Sequence, residues 1–446
     1  MKLTLPFLST RFEEDLLLTL LATPVWWILG FNFFIYQAVV FLCFSKLLIA
    51  KIREGEPLAV PKPALWLGLF LVTYAASLLI NAPSQPAQRV MASVNNYILF
   101  LMGFVLILVI YHAKPGRFFR GLLDSCAALT WITGLIAIFF LKLWFSGRRG
   151  LEVPSLSATL LPSLASYPFF NMLVILRTNA VDWFVEDVPR LCIYSSVVTA
   201  TGGFMLMILP FAMARSGFRR RAPGFGDVLM FLLGFISLGA SFSRTALCAF
   251  VGAFGLVWVI ERRARWWILL GAGVLFFLGS DMIFRGISWI FKARSASTVG
   301  RFNLYYDAVS IAAEENLLLG IGVRLREGFT MMSIGSHATY VGLLLMSGLI
   351  GLSFFILFQL SVFKTWLALR GCLKTRAQGV LWRAAGVSFL GINGWILTEN
   401  VDGLPFICFA YFLSTGVILL LARIFESKRF IPEEPQLFGS LPAPLV

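Results

Sequence analysis

Charge is scarce in this 446-residue chain: Asp, Glu, Lys and Arg make up only 13% of it, against 59% apolar residues. A soluble protein carries about a quarter charged residues, so a conventional water-soluble fold is excluded. Histidine is nearly absent, with only His112 and His337. No HExxH or Cys/His ligand spacing occurs, and a zinc site would have to be built mostly from carboxylates. The six cysteines, Cys43, Cys126, Cys192, Cys248, Cys372 and Cys408, are scattered through apolar runs without a CxxC pair. They read as small core residues rather than as a disulfide or metal framework. A GxxxxGK[ST] loop is missing, which removes ATP hydrolysis by that device, and no D-x-D is available to hold a metal-bound nucleotide sugar. Short alternating segments of about 10 residues do not dominate either, which excludes a transmembrane barrel.

What the chain has is long uncharged apolar stretches, each able to cross a hydrocarbon core of roughly 30 Å as a helix. The expected fold is all-α: a polytopic integral membrane protein of about 12 transmembrane helices. The spans fall at 16–30, 33–50, 64–80, 93–111, 120–145, 192–213, 227–240, 245–260, 266–283, 340–368, 380–398 and 404–423. The first two come from one apolar stretch divided at Gly30 to Asn32. Ser157 to Leu176 is apolar enough to tempt a further crossing, but Pro162 and Pro168 interrupt it. It reads as an interface-lying helical segment, re-entrant at most.

Basic residues outnumber acidic ones, 37 against 22, a formal charge of +15. In a membrane protein this is first a topology signal. With both termini in the cytoplasm, clusters such as Arg219 to Arg221 and Arg262, Arg263 and Arg265 lie inside, and the inside-to-outside ratio is about two to one. The chain then forms a single integral membrane domain over 1–446, with two sizeable outward loops at 146–191 and 284–339 and a cytoplasmic tail at 424–446. The acidic triplet Glu13, Glu14 and Asp15 precedes the first apolar run, unlike the basic start of a cleaved signal, so the first helix is expected to stay. The triplet reads as a solvated cap of that helix. The basic inward loops face anionic headgroups.

The outward face concentrates chemistry. It carries Arg190, Arg244, Arg301, Arg324 and Arg326 with one histidine, His337. A single arginine at a membrane boundary commonly snorkels to the headgroups. Several around one cavity suit a diphosphate, since each guanidinium fork takes two oxygens and stays charged at any pH. Arg244 sits at the Ser241 to Arg244 hairpin between two spans. Arg301 opens a stretch in which Phe302, Tyr305, Val309 and Ala312 recur at helical spacing, the pattern of an amphipathic helix lying on the outer leaflet, ended by Gly320-Ile-Gly322. His337 stands at the outer mouth of a long apolar helix, where an imidazole can accept or hold the proton of a sugar hydroxyl. Glu314, Glu315, Glu399 and Asp402 are the outward carboxylates that could assist, and the sequence does not rank them. His112, in a basic inward stretch, is read as a packing residue.

His337-Ala338, nine residues, then Gly348-Leu-Ile-Gly351 resembles the H-[NSQ]-x9-G-x-x-G signature of bacterial O-antigen ligases, with Ala338 where a polar side chain is usual. The Ser243-Arg244 hairpin and Arg190 ahead of the sixth span are similar to the same superfamily, which includes O-antigen and exopolysaccharide polymerases. The likeness runs from about 90 to 423 and is concentrated in 190 to 351. It implies a metal-independent, inverting glycosyl transfer without cofactor at the periplasmic face of the bacterial inner membrane. The donor would be a glycan on undecaprenyl diphosphate, and the acceptor either lipid A core or a lipid-linked repeat unit. Arg244 and Arg301 would then hold the departing diphosphate, His337 would orient or deprotonate the acceptor hydroxyl, and Arg190 would bind donor. Arg324, Arg326, Glu314 and Glu399 are the further substrate-binding candidates. A transporter of lipid-linked sugar predicts charges deep in the spans and related halves, of which the sequence shows few and none evident. A purely structural scaffold leaves the outward arginines unexplained.

Overall fold

The computed structural model describes residues 12–166, 168–178, 189–195, 197–219, 222–262, 295–325 and 333–426. The expected span 266–283 and the tail beyond 426 lie outside these residues, as does Arg326. The described chain is a helical bundle whose helices are, in order, α1 (Phe12–Leu21), α2 (Thr23–Leu29), α3 (Ile35–Glu54), α4 (Lys62–Asn81), α5 (Ala87–His112), α6 (Pro115–Phe145), α7 (Leu156–Leu160), α8 (Pro162–Ser166), α9 (Pro168–Val174), α10 (Val198–Phe218), α11 (Phe225–Ala240), α12 (Arg244–Arg262), α13 (Ser295–Glu315), α14 (Thr339–Leu369), α15 (Arg376–Trp395) and α16 (Pro405–Glu426). Among the described residues, eight helices are long and apolar enough to cross a membrane: α3, α4, α5, α6, α10, α12, α14 and α16.

The breaks between helices follow local chemistry. Gly30 and Gly55 close α2 and α3 in the left-handed conformation, with backbone amides returned to carbonyls of the last turn. Thr375 opens α15 with a reciprocal capping box: its hydroxyl accepts from the Gln378 amide at 3.2 Å, and the Gln378 side chain accepts from the Thr375 amide at 3.1 Å. The window of α16 that could cross the membrane is entirely buried, as expected of a helix apolar all round. It packs lengthwise on α5, while α4 lies along α14 and α10 along α15. At one end of the bundle Trp366 and Trp382 stack at 4.7 Å and exchange indole hydrogen bonds with each other's carbonyls.

Several expectations change. The first apolar run is broken not only at Gly30 but also at Ala22, so α1 and α2 hold 10 and 7 residues and neither crosses alone. The sixth span starts at Val198 rather than 192, because Leu191 and Ile193 are engaged elsewhere: the Leu191 amide donates to the Ala240 carbonyl at 3.1 Å and the Ile193 amide to the Thr199 neighbour Thr201 at 3.0 Å. Three short helices, α7 to α9, lie between β1 (Glu152–Pro154) and β2 (Ile175–Arg177), which pair antiparallel. The acidic triplet is not a solvated cap. Glu13 is buried and accepts from the Lys114 amide that starts α6, Asp15 pairs with Lys46 at 2.7 Å, and Glu14 faces Arg117 at 3.6 Å, so the triplet ties α1 to α3 and α6.

The Arg301 helix, α13, ends at Glu315, five residues before the glycines expected to end it. Its expected apolar stripe divides. Ala308 and Ala312 are buried in a small core with Leu78, Val323, Ile334 and Leu345, whereas Phe302 and Val309 are exposed. Gly320 and Gly322 serve a different purpose. At Gly348 the backbone of α14 opens (φ +63°, ψ −170°), and the loop 317–322 docks into the gap. The Ile321 and Gly322 amides donate to the carbonyls of Leu345 and Met346, and the Leu349 and Ile350 amides donate to those of Leu317 and Leu318. Four backbone groups freed by the break are thus satisfied where water is scarce. A Cβ on Gly320 would lie 2.6 Å from the Gly348 nitrogen, and one on Gly348 would overlap the Leu318 carbonyl. Gly348→Ala is therefore expected to cost roughly 1–3 kcal/mol from backbone conformation alone, with the overlap added. Thermal unfolding of the detergent-solubilised variant checks this, and an unchanged midpoint would contradict the docked-loop reading.

Candidate functional site

The site forms where α10, α12, α13, α14 and the turn after α15 meet at one end of the bundle. Glu399 lies at its centre. The turn carrying it is fixed by Thr339, the first residue of α14: the Thr339 amide and hydroxyl donate to the Glu399 carbonyl at 3.1 and 2.8 Å, and the hydroxyl accepts from the Val401 amide at 3.0 Å. The side chain, 6% exposed, is then surrounded. Arg301 Nη1 donates to Oε1 at 3.2 Å and to the Thr398 carbonyl at 3.1 Å. The Thr199 hydroxyl, in the first turn of α10, donates to Oε2 at 3.1 Å, and His337 Nδ1 stands 3.6 Å from the same oxygen.

Burial alone would raise the Glu399 carboxyl. The hydrogen bonding and charge of His337, the charge of Arg301 and the Thr199 hydroxyl outweigh it and hold the group below the usual carboxylate range. Glu399 is therefore an anion at neutral pH. It supplies a charge partner for Arg301 and a fixed acceptor that orients the His337 ring.

His337 is held in a backbone conformation that side chains rarely adopt, φ +68°. Its carbonyl accepts a 2.6 Å hydrogen bond from the Tyr305 hydroxyl. Tyr305 follows Arg301 by four residues and so shares its face of α13, which lets one helix position both the guanidinium and the histidine backbone. With its side chain only partly exposed, His337 presents to the site an imidazole whose Nδ1 faces the Glu399 carboxylate.

Arg244 begins α12, and Ser243 caps that helix by accepting from the Ala246 amide at 3.3 Å. Phe242, just before, has φ +45°, a second uncommon backbone at this end. The Leu191 to Ala240 bond brings the 189–195 segment against the same hairpin, so that buried Arg190 and part-buried Arg301 both act on Arg244 through their charges. Thr398 joins the hairpin to the Glu399 turn by a 3.0 Å hydrogen bond to Thr245. Three guanidinium groups thus share one neighbourhood with Glu399 as a carboxylate within it. A helix N-terminus is already electropositive, so placing Arg244 there adds like to like and creates a field suited to an anion.

The other sequence candidates sit elsewhere. Arg324 is turned inward into a 3.0 Å ion pair with Asp402, which is fully buried, and its guanidinium lies against Gly342 of α14. Glu314 is exposed near the far end of α13, about 20 Å along the axis from Arg301, and Glu315 is exposed beside it. Arg326 lies outside the described residues. Of the four carboxylates, only Glu399 joins Arg301 and His337. Sequence reading missed Tyr305 as a brace, and also Thr199 and Thr339. Thr339 was marked only by lying two residues after the histidine, and Thr199 only as a hydroxyl in an apolar run. His112 is half-buried on its own helix, Nδ1 3.1 Å from the Leu108 carbonyl, in keeping with packing.

Residues 229–356, which include Arg244, Arg301, His337 and the glycine pair of α14, match the family model described as O-antigen ligase. No curated protein matches the chain.

Proposed function

We propose that this chain, a member of the O-antigen ligase superfamily through residues 229–356, joins a lipid-linked glycan to an acceptor sugar. The specific reading is a ligase that moves the glycan from undecaprenyl diphosphate to lipid A core at the periplasmic face of the inner membrane. The observation that carries it is the convergence of Arg301 and His337 on the buried carboxylate of Glu399, with Arg244 and Arg190 beside them. This arrangement separates two tasks that such a transfer requires. The arginines provide positive charge for a diphosphate, and the braced imidazole provides a proton acceptor.

In the proposed reaction the acceptor hydroxyl oxygen attacks the anomeric carbon of the donor glycan. The new carbon–oxygen bond forms as the bond from that carbon to the diphosphate breaks, and attack from the side opposite the leaving group inverts the anomeric centre. The electron pair departs with the diphosphate, whose growing charge Arg244 and Arg301 neutralise. The hydroxyl proton passes to His337, whose cationic form is stabilised by Glu399. In this reading the guanidinium groups supply the counter-charge and no metal step is needed. Polymerisation of lipid-linked repeats uses the same bond changes with a different acceptor and is the alternative within the superfamily.

Surface glycans from cells lacking the gene, complemented with wild type or His337→Ala, test this reading. For a ligase, His337→Ala leaves long glycan on the lipid carrier and none on lipid A. Lipid A bearing a single repeat, or loss of high-mass exopolysaccharide, would instead mean polymerase. Full restoration by a His337→Ala protein would reduce the histidine to packing and overturn the assignment.

A further inference from the structure

At the end of α15 remote from Glu399, a cleft of about 340 Å³ opens between α10, α12 and α15. Its volume falls in the lower range of sites that hold small molecules, roughly 300–1,000 Å³. Its walls are apolar, formed by Pro210 and Met213 of α10, Phe250 and Phe254 of α12, and Val380 and Val387 of α15, while Arg376 and Arg383 border it. Phe250 and Phe254 stack at 6.5 Å along one side. Pro210 has no amide to bond the preceding turn, and the helix nonetheless continues to Phe218 along the cleft.

The charge at the cleft is one-sided. Arg383 pairs closely with the Glu261 carboxylate, while Arg370 donates to the Glu261 backbone carbonyl at 2.9 Å. Arg376 is exposed in the first turn of α15. Because α10, one of the helices able to cross, runs 18 residues from Thr199 at the site to Gly217 at the cleft, the two lie about 27 Å apart along its axis, close to one hydrocarbon thickness. The cleft therefore reaches the headgroup level of the leaflet opposite the Glu399 site, on whichever side that leaflet lies. An apolar slot that ends in guanidinium groups at headgroup level complements one occupant in both of its parts. We propose that this cleft holds an anionic phospholipid, its phosphate on Arg376 and Arg383 and an acyl chain between α10 and α12.

A lipid bound there fills a gap that helix packing leaves open, and it fixes α12, which carries Arg244 at its other end. The site does not depend on the glycosyl-transfer reading, and its test needs no transfer assay. Native mass spectrometry of the delipidated full chain, titrated with phosphatidylglycerol or phosphatidylcholine of matched chains, reads it directly. Wild type is expected to retain one phosphatidylglycerol under activation that strips phosphatidylcholine, and millimolar inorganic phosphate should not displace it. Arg376→Gln, which leaves the Arg383 to Glu261 pair intact, should lower retention at least fivefold. Met213→Trp, which fills the slot, should lower it as well, with thermal unfolding confirming that both variants are folded. Equal retention of the two lipids, retention unchanged in either folded variant, or displacement by free phosphate would overturn the proposal.

Discussion

Replacing Arg301 by alanine is expected to lower glycan transfer by a factor of about 100 to 1,000, the usual loss when one well-placed charge partner of a transition state is removed. Two effects combine in that loss. On the proposed reaction the departing diphosphate would lose a guanidinium, and Glu399 loses the partner on Oε1 that keeps its buried charge acceptable. Arg301→Lys keeps the charge but cannot span the Thr398 carbonyl and the Glu399 carboxylate with one planar group, so an intermediate loss is expected. Combining Arg301→Ala with Glu399→Gln should cost less than the sum of the two, because both act on one network. Strict additivity in transfer rate would show that they work independently.

The same network has a pH signature. Glu399 titrates below its ordinary value in the folded protein, so its contribution to stability is fully present above the unfolded value, about 4.3. It is lost as pH falls through the lower folded value. Removing Arg301 takes away one of the influences that lower it, and the acid limb of unfolding should move to higher pH. Thermal unfolding across an acidic pH series, comparing wild type with Arg301→Ala, checks the direction. A limb that moves lower, or not at all, would contradict the proposed balance.

Arg324→Met is expected to be the most destabilising of the arginine substitutions, by about 3–5 kcal/mol, because it strands a buried carboxylate. Asp402 is inaccessible to solvent, and Arg324 Nη2 donates to it at 3.0 Å. Changing both partners together, Arg324→Met with Asp402→Leu, should recover most of the loss, since an apolar pair of similar volume avoids the desolvation cost. Unfolding midpoints of the solubilised proteins decide the matter. An Arg324→Met protein with wild-type stability and lost transfer would place Arg324 among the substrate residues instead.

This contrast between Arg301 and Arg324 also marks what the sequence could reveal. Both are outward arginines by the distribution of charge; helical spacing placed Arg301 on a helix, while Arg324 lies in the irregular segment after it. Whether a guanidinium faces a cavity or an internal acid depends on long-range pairing, here 98 residues to Glu399 and 78 to Asp402. Local pattern carries no record of such pairs. The Gly348-Leu-Ile-Gly351 motif was visible as a motif, but its physical purpose, an opened helix receiving the 317–322 loop, required the three-dimensional docking of a segment that the sequence suggested would only terminate α13. The 192–195 stretch looked helical for the same kind of reason. It is apolar enough to span, but its amides bond Thr178 and Thr201, the Tyr194 carbonyl accepts from Asn32, and Leu191 just before it is tied to Ala240, which together draw it out of the helix. The histidine and Arg244 were legible because each sits at a boundary between apolar and polar sequence, where a charged or titratable side chain is conspicuous.

The most direct test of the account is transfer by the purified protein in liposomes, with a polyprenyl-diphosphate-linked glycan as donor, lipid A core as acceptor and a chelator present throughout. Wild type should form the joined product under these conditions, while His337→Ala, inserted and folded, should form none. Equal product from His337→Ala, or product from wild type only when divalent metal is restored, would contradict the central claim that an arginine cluster and one histidine braced on Glu399 perform the transfer.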